Sequence, residues 1–228
     1  MQAIVLADGD VEARAALDAA WPGWAEPTAL VIAADGGARH AEPLGLAVDL
    51  WVGDGDSIEP DRLAALAAAG VEIRLVAAAK DESDTELAVL AAVERGADAI
   101  VIVGALGGPR FDHSLANVAL LAHPALIGRR VALLDGSTRI ALLRAPDHDG
   151  RPVRHPLPGR IGGLVTLLPF GDGAAGVTTA GLEYPLRDEP LVAGPARGLS
   201  NVRTAADAEV VVRRGMLLVI ETTGTIPA

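Results

Sequence analysis

The sequence has no cysteine, which excludes disulfides, thiolate nucleophiles and zinc-thiolate sites and fits a reducing compartment. It also lacks any cluster of Lys and Arg: 19 basic residues stand against 30 acidic ones, for a formal charge of -11. Nucleic-acid backbones are held by clustered cations, so no nucleic-acid partner is expected. Long apolar runs are missing as well. Stretches such as "DAIVIVGALGG" fall well short of the roughly 20 residues of a membrane helix. The start, "MQAIVLADGDVEARAALD", shows no basic segment leading into an apolar one, so neither a secretory signal nor a membrane partner is expected. The expectation is a soluble, cytoplasmic protein. Two phosphate-binding fingerprints are absent too, because "GALGGPR" matches neither GxxxxGK[ST] nor GxGxxG. A P-loop kinase and a dinucleotide oxidoreductase both lose ground.

What is present is a large apolar fraction, 50% of 228 residues, enough for a substantial core. Up to about residue 135, short Val/Ile/Leu runs alternate with Ala-rich segments of helical period. That pattern predicts an α/β unit with a mostly parallel sheet and helices on both faces, Rossmann-like in arrangement. Strands are expected at 3–7, 29–34, 49–53, 71–77, 99–105 and 130–135, and helices at 60–69, 83–95 and 112–122. Gly70 and Gly96 suit helix C-caps, and Pro124 is a breaker. The texture changes after about residue 137: Pro, Gly and His punctuate the chain and β-branched residues take over. A second unit, 138–228, is therefore expected to be an antiparallel sandwich or barrel. Strands are expected at 163–170 and 176–186, with a hairpin over 208–221 that turns at Arg214 and Gly215.

In open α/β sheets ligands bind beyond the carboxyl ends of the strands, so the residues following each run carry the functional reading. "ADGGARH" supplies Asp35 and Gly36 after the second strand, and "GDGDS" supplies Asp54 and Asp56 after the third. "KDESDTELA" brings Lys80 and Asp84 to the start of a helix, and "GALGGPRFDHSLAN" offers Gly107, Gly108, Arg110 and Asp112. Carboxylates gathered on one rim repel unless a hard cation sits among them, and Mg²⁺ needs only one or two of them besides phosphate oxygens. Glycines let backbone N–H groups approach an anion, and a helix start near Asp112 adds donors. The rim reads as a metal-nucleotide site.

Each piece also has a plainer reading. Asp56 could cap the following helix, Ser83 could be an N-cap with Asp84 complementing the helix dipole, and Asp35 could merely end a strand. Their joint placement at strand exits is what favours a site. A hydrolase triad from Asp112, His113 and Ser114 is excluded, since helix neighbours in sequence point about 100° apart.

Taken in order, "ADGGA", "GDGDS", "KDESDTELA" and "GALGGPRFDHSLAN", followed by "GLEYPL", "GLSN" and "GMLLVI", resemble the thiamine pyrophosphokinase family over nearly the whole chain. The resemblance implies a catalytic ATP/Mg-binding domain (1–137) and a β-sandwich domain (138–228) for thiamine binding and dimerisation, with sites at the interface of a homodimer. It implies diphosphate transfer from Mg-ATP to thiamine, giving thiamine diphosphate and AMP. By motif match Asp54, Asp56 and Asp84 would be metal and catalytic residues, with Asp112 organising the site. Asp35, Gly36, Lys80, Gly107, Gly108 and Arg110 would meet the nucleotide, and Ser200 and Asn201 the thiamine. Three positions depart from the family pattern: Gly55 replaces a bulky residue, Pro109 interrupts G-G-R-x-D-H, and Ser83 stands for Thr. The competing readings are a diphosphotransferase for another hydroxymethyl heterocycle, such as a pterin, and a non-catalytic nucleotide or thiamine diphosphate-binding module.

Overall fold

The computed structural model describes residues 1–223, which divide into two compact units, Met1–Gly136 and a second unit beginning at Ser137. The first unit is built on β1 (Gln2–Leu6), β2 (Thr28–Ala34), β3 (Leu50–Gly53), β4 (Glu72–Leu75), β5 (Ala99–Val103) and β6 (Arg130–Asp135). Its helices are α1 (Arg14–Ala20), α2 (Pro60–Ala68), α3 (Asp84–Glu94) and α4 (Phe111–Leu120). All strand pairs in this unit are parallel, in the order β4-β3-β2-β1-β5-β6. Ala3, Ile4, Val5 and Leu6 of β1 are all fully buried. A strand covered on both faces has no reason to alternate polar residues, and this is why the central β1 and β5 read as apolar runs, whereas the edge strand β4, EIRL, alternates and is not buried.

The helix ends follow from local chemistry. Ser83 caps α3, its hydroxyl accepting the Glu86 N–H at 3.1 Å. Gly70 and Gly96 follow α2 and α3 with φ of +86° and +82°, the left-handed C′ position that glycine adopts without a Cβ penalty. Leu17 of α1 joins Ile4, Leu6, Trp21 and Trp24 in one apolar cluster, while Trp51 of β3 packs with Ala33, Ala38 and Ile58 in another. No helix among the described residues is long and apolar enough to cross a membrane.

The second unit holds β7 (Thr138–Ala145), β8 (Val153–Pro156), β9 (Leu164–Ala180), β10 (Glu189–Leu191), β11 (Asn201–Val202), β12 (Glu209–Val212) and β13 (Arg214–Thr222). All its strand pairs are antiparallel. The expected hairpin over 208–221 does not form. β12 and β13 each pair with β9 instead, at Thr178–Ala180 and Leu164–Ala175 respectively. The cause lies in β9, one long strand where two were expected. Its ladder with β13 skips from Phe170 to Ala174, opposite Met216 and Gly215, and Gly171 and Gly173 take positive φ within that bulge. β9 thus offers successive stretches to two partners, and the chain at Arg213 passes from one to the other rather than turning back on itself.

Along β13, Leu217, Val219 and Glu221 share one face, and all three are buried. The Glu221 carboxylate is therefore carried into the core by strand periodicity, and two guanidinium groups meet it. Arg203 Nη2 donates at 2.6 Å and Arg139 Nε at 2.8 Å, while Arg203 Nε donates to the Leu157 carbonyl at 3.0 Å. Breaking a buried pair leaves an uncompensated charge, at a cost of about 3–5 kcal/mol. Glu221→Ala should therefore lower unfolding free energy by about that amount in urea titrations, and a loss within about 0.5 kcal/mol, as at an ordinary surface site, would contradict the assignment. Burial also holds the β8 residue His155 below the ordinary histidine pKa, with Glu221 raising it and Arg139 lowering it. The folded state then binds fewer protons than the unfolded chain as pH falls through about 6.5. His155→Gln should lose less urea stability than the wild type between pH 7.5 and 5.5, and equal losses would count against a neutral, partly buried imidazole.

Candidate active site

The strand order places a topological switch between β1 and β5, and the exits of β1 to β5 form the rim where such sheets bind ligands. Register positions the first acid. Ala34 of β2 lies opposite Val52 of β3, so Asp35 comes beside Gly53. A Cβ on Gly53 would stand 2.8 Å from the Asp35 Cβ, so only glycine allows this approach. Asp35 takes φ 43°, an uncommon conformation that aspartate tolerates better than most residues. Its carbonyl accepts the indole N–H of the fully buried Trp51 at 3.0 Å.

Asp35, Asp54 and Asp84 each bring a carboxylate oxygen within 4.8 Å of the other two. Asp35 is 3% exposed. One of its oxygens accepts the Ser57 N–H at 3.1 Å, while the other, Oδ1, is buried and has no hydrogen-bond partner. Burial pushes the Asp35 carboxyl up to about 6, against the Ser57 hydrogen bond and with help from the charges of Asp84 and Asp56. Lys80 Nζ bridges the other two acids, 2.9 Å from Asp54 Oδ2 and 3.0 Å from Asp84 Oδ1. The hydrogen bond from Lys80, supported by the Asp56 N–H, holds Asp54 below the ordinary carboxylate range. Burial opposes the charge on Lys80, but its hydrogen bond to Asp54 and its pairing with Asp84 outweigh that and raise its pKa. Three carboxylates, two of them with a buried oxygen that accepts no hydrogen bond, Asp35 Oδ1 and Asp84 Oδ1, fit a hard divalent cation.

The structure thus gathers Asp54 and Asp84 as expected, with Asp35 as the third member. Asp56 lies beside the trio but contributes no oxygen to it. It is exposed, its backbone N–H donates to Asp54 Oδ1 at 3.2 Å, and its carboxylate accepts the Ser57 hydroxyl at 2.7 Å. It is not a helix cap, since Glu59 occupies the N-cap of α2. Ser83, by contrast, does cap α3 while Asp84 faces Lys80.

At the β5 exit, Arg110 and Asp112 form an exposed two-pronged pair at 3.0 and 2.5 Å, and Arg110 draws the Asp112 carboxyl down to about 2. Gly107 and Gly108 both have φ +75°, and the Gly108 N–H donates to Asp10 Oδ2 at 2.8 Å. That contact reveals a segment the strand-exit reading passed over. After β1, Asp8, Gly9 and Asp10 form a fifth turn on the same rim. A Cβ on Gly36 would stand 2.7 Å from the Asp8 carboxyl carbon, Asp8 pairs with Arg39, and His40 Nε2 lies 3.0 Å from the Gly9 carbonyl. The signal was available, an "ADGD" turn closing the first apolar run.

Ser200 and Asn201 lie in the second unit. Ser200 is exposed with φ 55°. Asn201 is buried, and its amide is spent on Tyr184, accepting from the backbone N–H at 3.0 Å and donating to the carbonyl at 2.7 Å. The Tyr184 ring, on the chain's one tyrosine, is 57% exposed. Asn201 therefore fixes the backbone that presents Tyr184, a link that spacing could not reveal.

Residues 23–133 match the family model described as thiamin pyrophosphokinase, catalytic domain, and residues 154–217 match thiamin pyrophosphokinase, vitamin B1 binding domain. The thiamine pyrophosphokinase of Bacillus subtilis (strain 168) is 26% identical over 171 residues, 75% of this chain and 77% of that one. Thiamine pyrophosphokinase 1 of Oryza sativa subsp. japonica is 29% identical over 177 residues, 72% of this chain and 64% of that one. In fold, the crystal structure of the Bacillus subtilis protein superposes with a TM-score of 0.82 at 23% identity, covering 98% of this chain and 100% of that one. Thiamin pyrophosphokinase from Candida albicans gives 0.78 at 16% identity, covering 97% and 90%. With both domain models matched in order across more than half of its length, the chain belongs to the thiamin pyrophosphokinase family.

Proposed function

We propose that this chain transfers a diphosphate group from Mg-ATP to the hydroxyl of thiamine, releasing thiamine diphosphate and AMP. The observation that carries the reading is the convergence of Asp35, Asp54 and Asp84 within 4.8 Å at strand exits of a chain in this family. The first unit is the ATP/Mg-binding catalytic domain. The second, read as a β-sandwich, binds thiamine and supports a homodimer with sites at the subunit interface. The exposed Phe111 and Leu115, one turn apart on α4, support such an assembly. The protein works in the cytoplasm.

Asp35, Asp54 and Asp84 hold the Mg²⁺. Bound there, the ion supplies charge neutralisation at the phosphate oxygens, the main need of phosphoryl transfer. Arg110 and Lys80 add positive charge, and the backbone about Gly36, Gly107 and Gly108 offers close approach to phosphate. The thiamine hydroxyl attacks the β-phosphorus, its O–P bond forms as the bond to the α,β-bridging oxygen breaks, and AMP leaves with that oxygen. The hydroxyl proton passes to Asp56, which stands beside Asp54, is exposed, and contributes no oxygen to the cluster of three. In the second unit Ser200 meets the substrate, and Asn201 holds Tyr184, whose ring offers a face to the cationic thiazolium. The vitamin B1 binding match over 154–217 favours thiamine over a pterin-like acceptor. AMP formation separates both from a module that only binds.

Asp54→Asn should fold normally and lose at least about 10²-fold in AMP release, the scale of one key electrostatic group; near-full turnover at saturating Mg²⁺ would contradict its role as metal ligand. Asp56→Asn should bind the Mg-nucleotide within about 3-fold of wild type by calorimetry while kcat falls by about 10²-fold or more. Should binding and kcat fall together, Asp56 is a ligand and not the base.

A further inference from the structure

Lys80 is placed differently from the other cations of the rim. Arg110 is exposed and answers one carboxylate two residues away. Lys80 is mostly covered, its side chain 13% exposed, and its ammonium joins two acids from different elements. Asp54 follows β3 and Asp84 opens α3, so one Nζ spans the β3 exit and a helix start. It donates a hydrogen bond to Asp54 at 2.9 Å and forms an ion pair with Asp84 at 3.0 Å.

These are the same carboxylates that would take a divalent ion at about 2.0–2.1 Å. An ammonium at hydrogen-bond distance and a doubly charged ion at coordination distance from the same oxygens repel one another. One must give way, and Lys80 is built to move. It sits between β4 and α3, outside any helix or strand, at the end of a four-carbon stem with free rotation.

We infer that Lys80 is an internal stand-in for the divalent cation: it holds Asp54 and Asp84 together in the metal-free protein, competes with the bare ion, and is released when the ion arrives with a nucleotide. This rests on the assignment of Asp35, Asp54 and Asp84 as metal ligands. A nucleotide brings phosphate oxygens that accept the displaced ammonium, whereas a bare ion leaves Lys80 with no new partner. The site consequently discriminates against metal alone and in favour of the metal-nucleotide, and Lys80 is a positioning and specificity residue for the order of binding.

The test compares wild type with Lys80→Met, which keeps an unbranched stem and removes the charge. Free Mn²⁺ is titrated by electron paramagnetic resonance without nucleotide, then with a non-hydrolysable ATP analogue. The expected result is bare Mn²⁺ bound at least about 10-fold more tightly by Lys80→Met, since a neighbouring cation has been removed from the ligands, and the Mn-analogue bound more weakly than by wild type. Lys80→Gln, also uncharged, should reproduce both changes, and serves if Lys80→Met fails to fold by circular dichroism. Bare Mn²⁺ bound no more tightly by a folded uncharged variant would overturn the inference. The reading beneath it fails separately: if Asp54→Asn binds the Mn-analogue as tightly as wild type, the metal assignment is wrong whatever Lys80 does.

Discussion

Three carboxylates within reach of one cation are the constraint from which the rest of the first unit can be understood. Asp35 is buried with an unsatisfied oxygen, and an uncompensated buried carboxylate is costly. Its surroundings show how the fold tolerates it. Trp51 grips its carbonyl, Ser57 satisfies one oxygen, and Gly53 removes the Cβ that would otherwise push it away. The protein spends part of its core, including the fully buried Trp51, on holding an acid where hydrophobic packing alone would place none. Such local conflict with folding rules is expected at functional sites.

The sheet explains why these acids meet. Parallel pairing aligns the carboxyl ends of β2, β3 and β4, so residues far apart in sequence come to one rim without long loops. β1 and β5 complete that rim through the contact between Asp10 and Gly108. The second unit solves a different problem. It carries an acid into its core as well, but Glu221 is answered by Arg139 and Arg203. Two buried carboxylates thus have opposite fates: one is neutralised within the fold, and the other is left with an oxygen to offer.

Much of this was legible in the residues, for definable reasons. The central parallel strands announced themselves through apolar runs, and α2 and α3 through Ser83, Gly70 and Gly96 at their ends. α1 escaped notice because it is seven residues long, with no side-chain cap and no acid in its first turn. The 208–221 segment read as a hairpin because an apolar run divided by Gly215 looks the same whether the chain turns back or changes partner. At the site, Asp54 and Asp84 were readable from spacing. Asp35 was found too, but its place among the clustered carboxylate oxygens depends on burial and on register beside Gly53, which are tertiary facts. The turn after β1 was overlooked although it obeyed the same strand-exit rule.

The central claim is that Asp35, Asp54 and Asp84 form one cation site for a nucleotide. It is tested most directly by a crystal of the protein grown with Mn²⁺ and a non-hydrolysable ATP analogue, using the anomalous signal to locate the ion. The account predicts a peak at coordination distance, about 2.0–2.2 Å, from oxygens of these residues and bridged to the phosphates. An ordered nucleotide with its ion elsewhere, or with Lys80 still seated between Asp54 and Asp84 and no ion beside them, would contradict it.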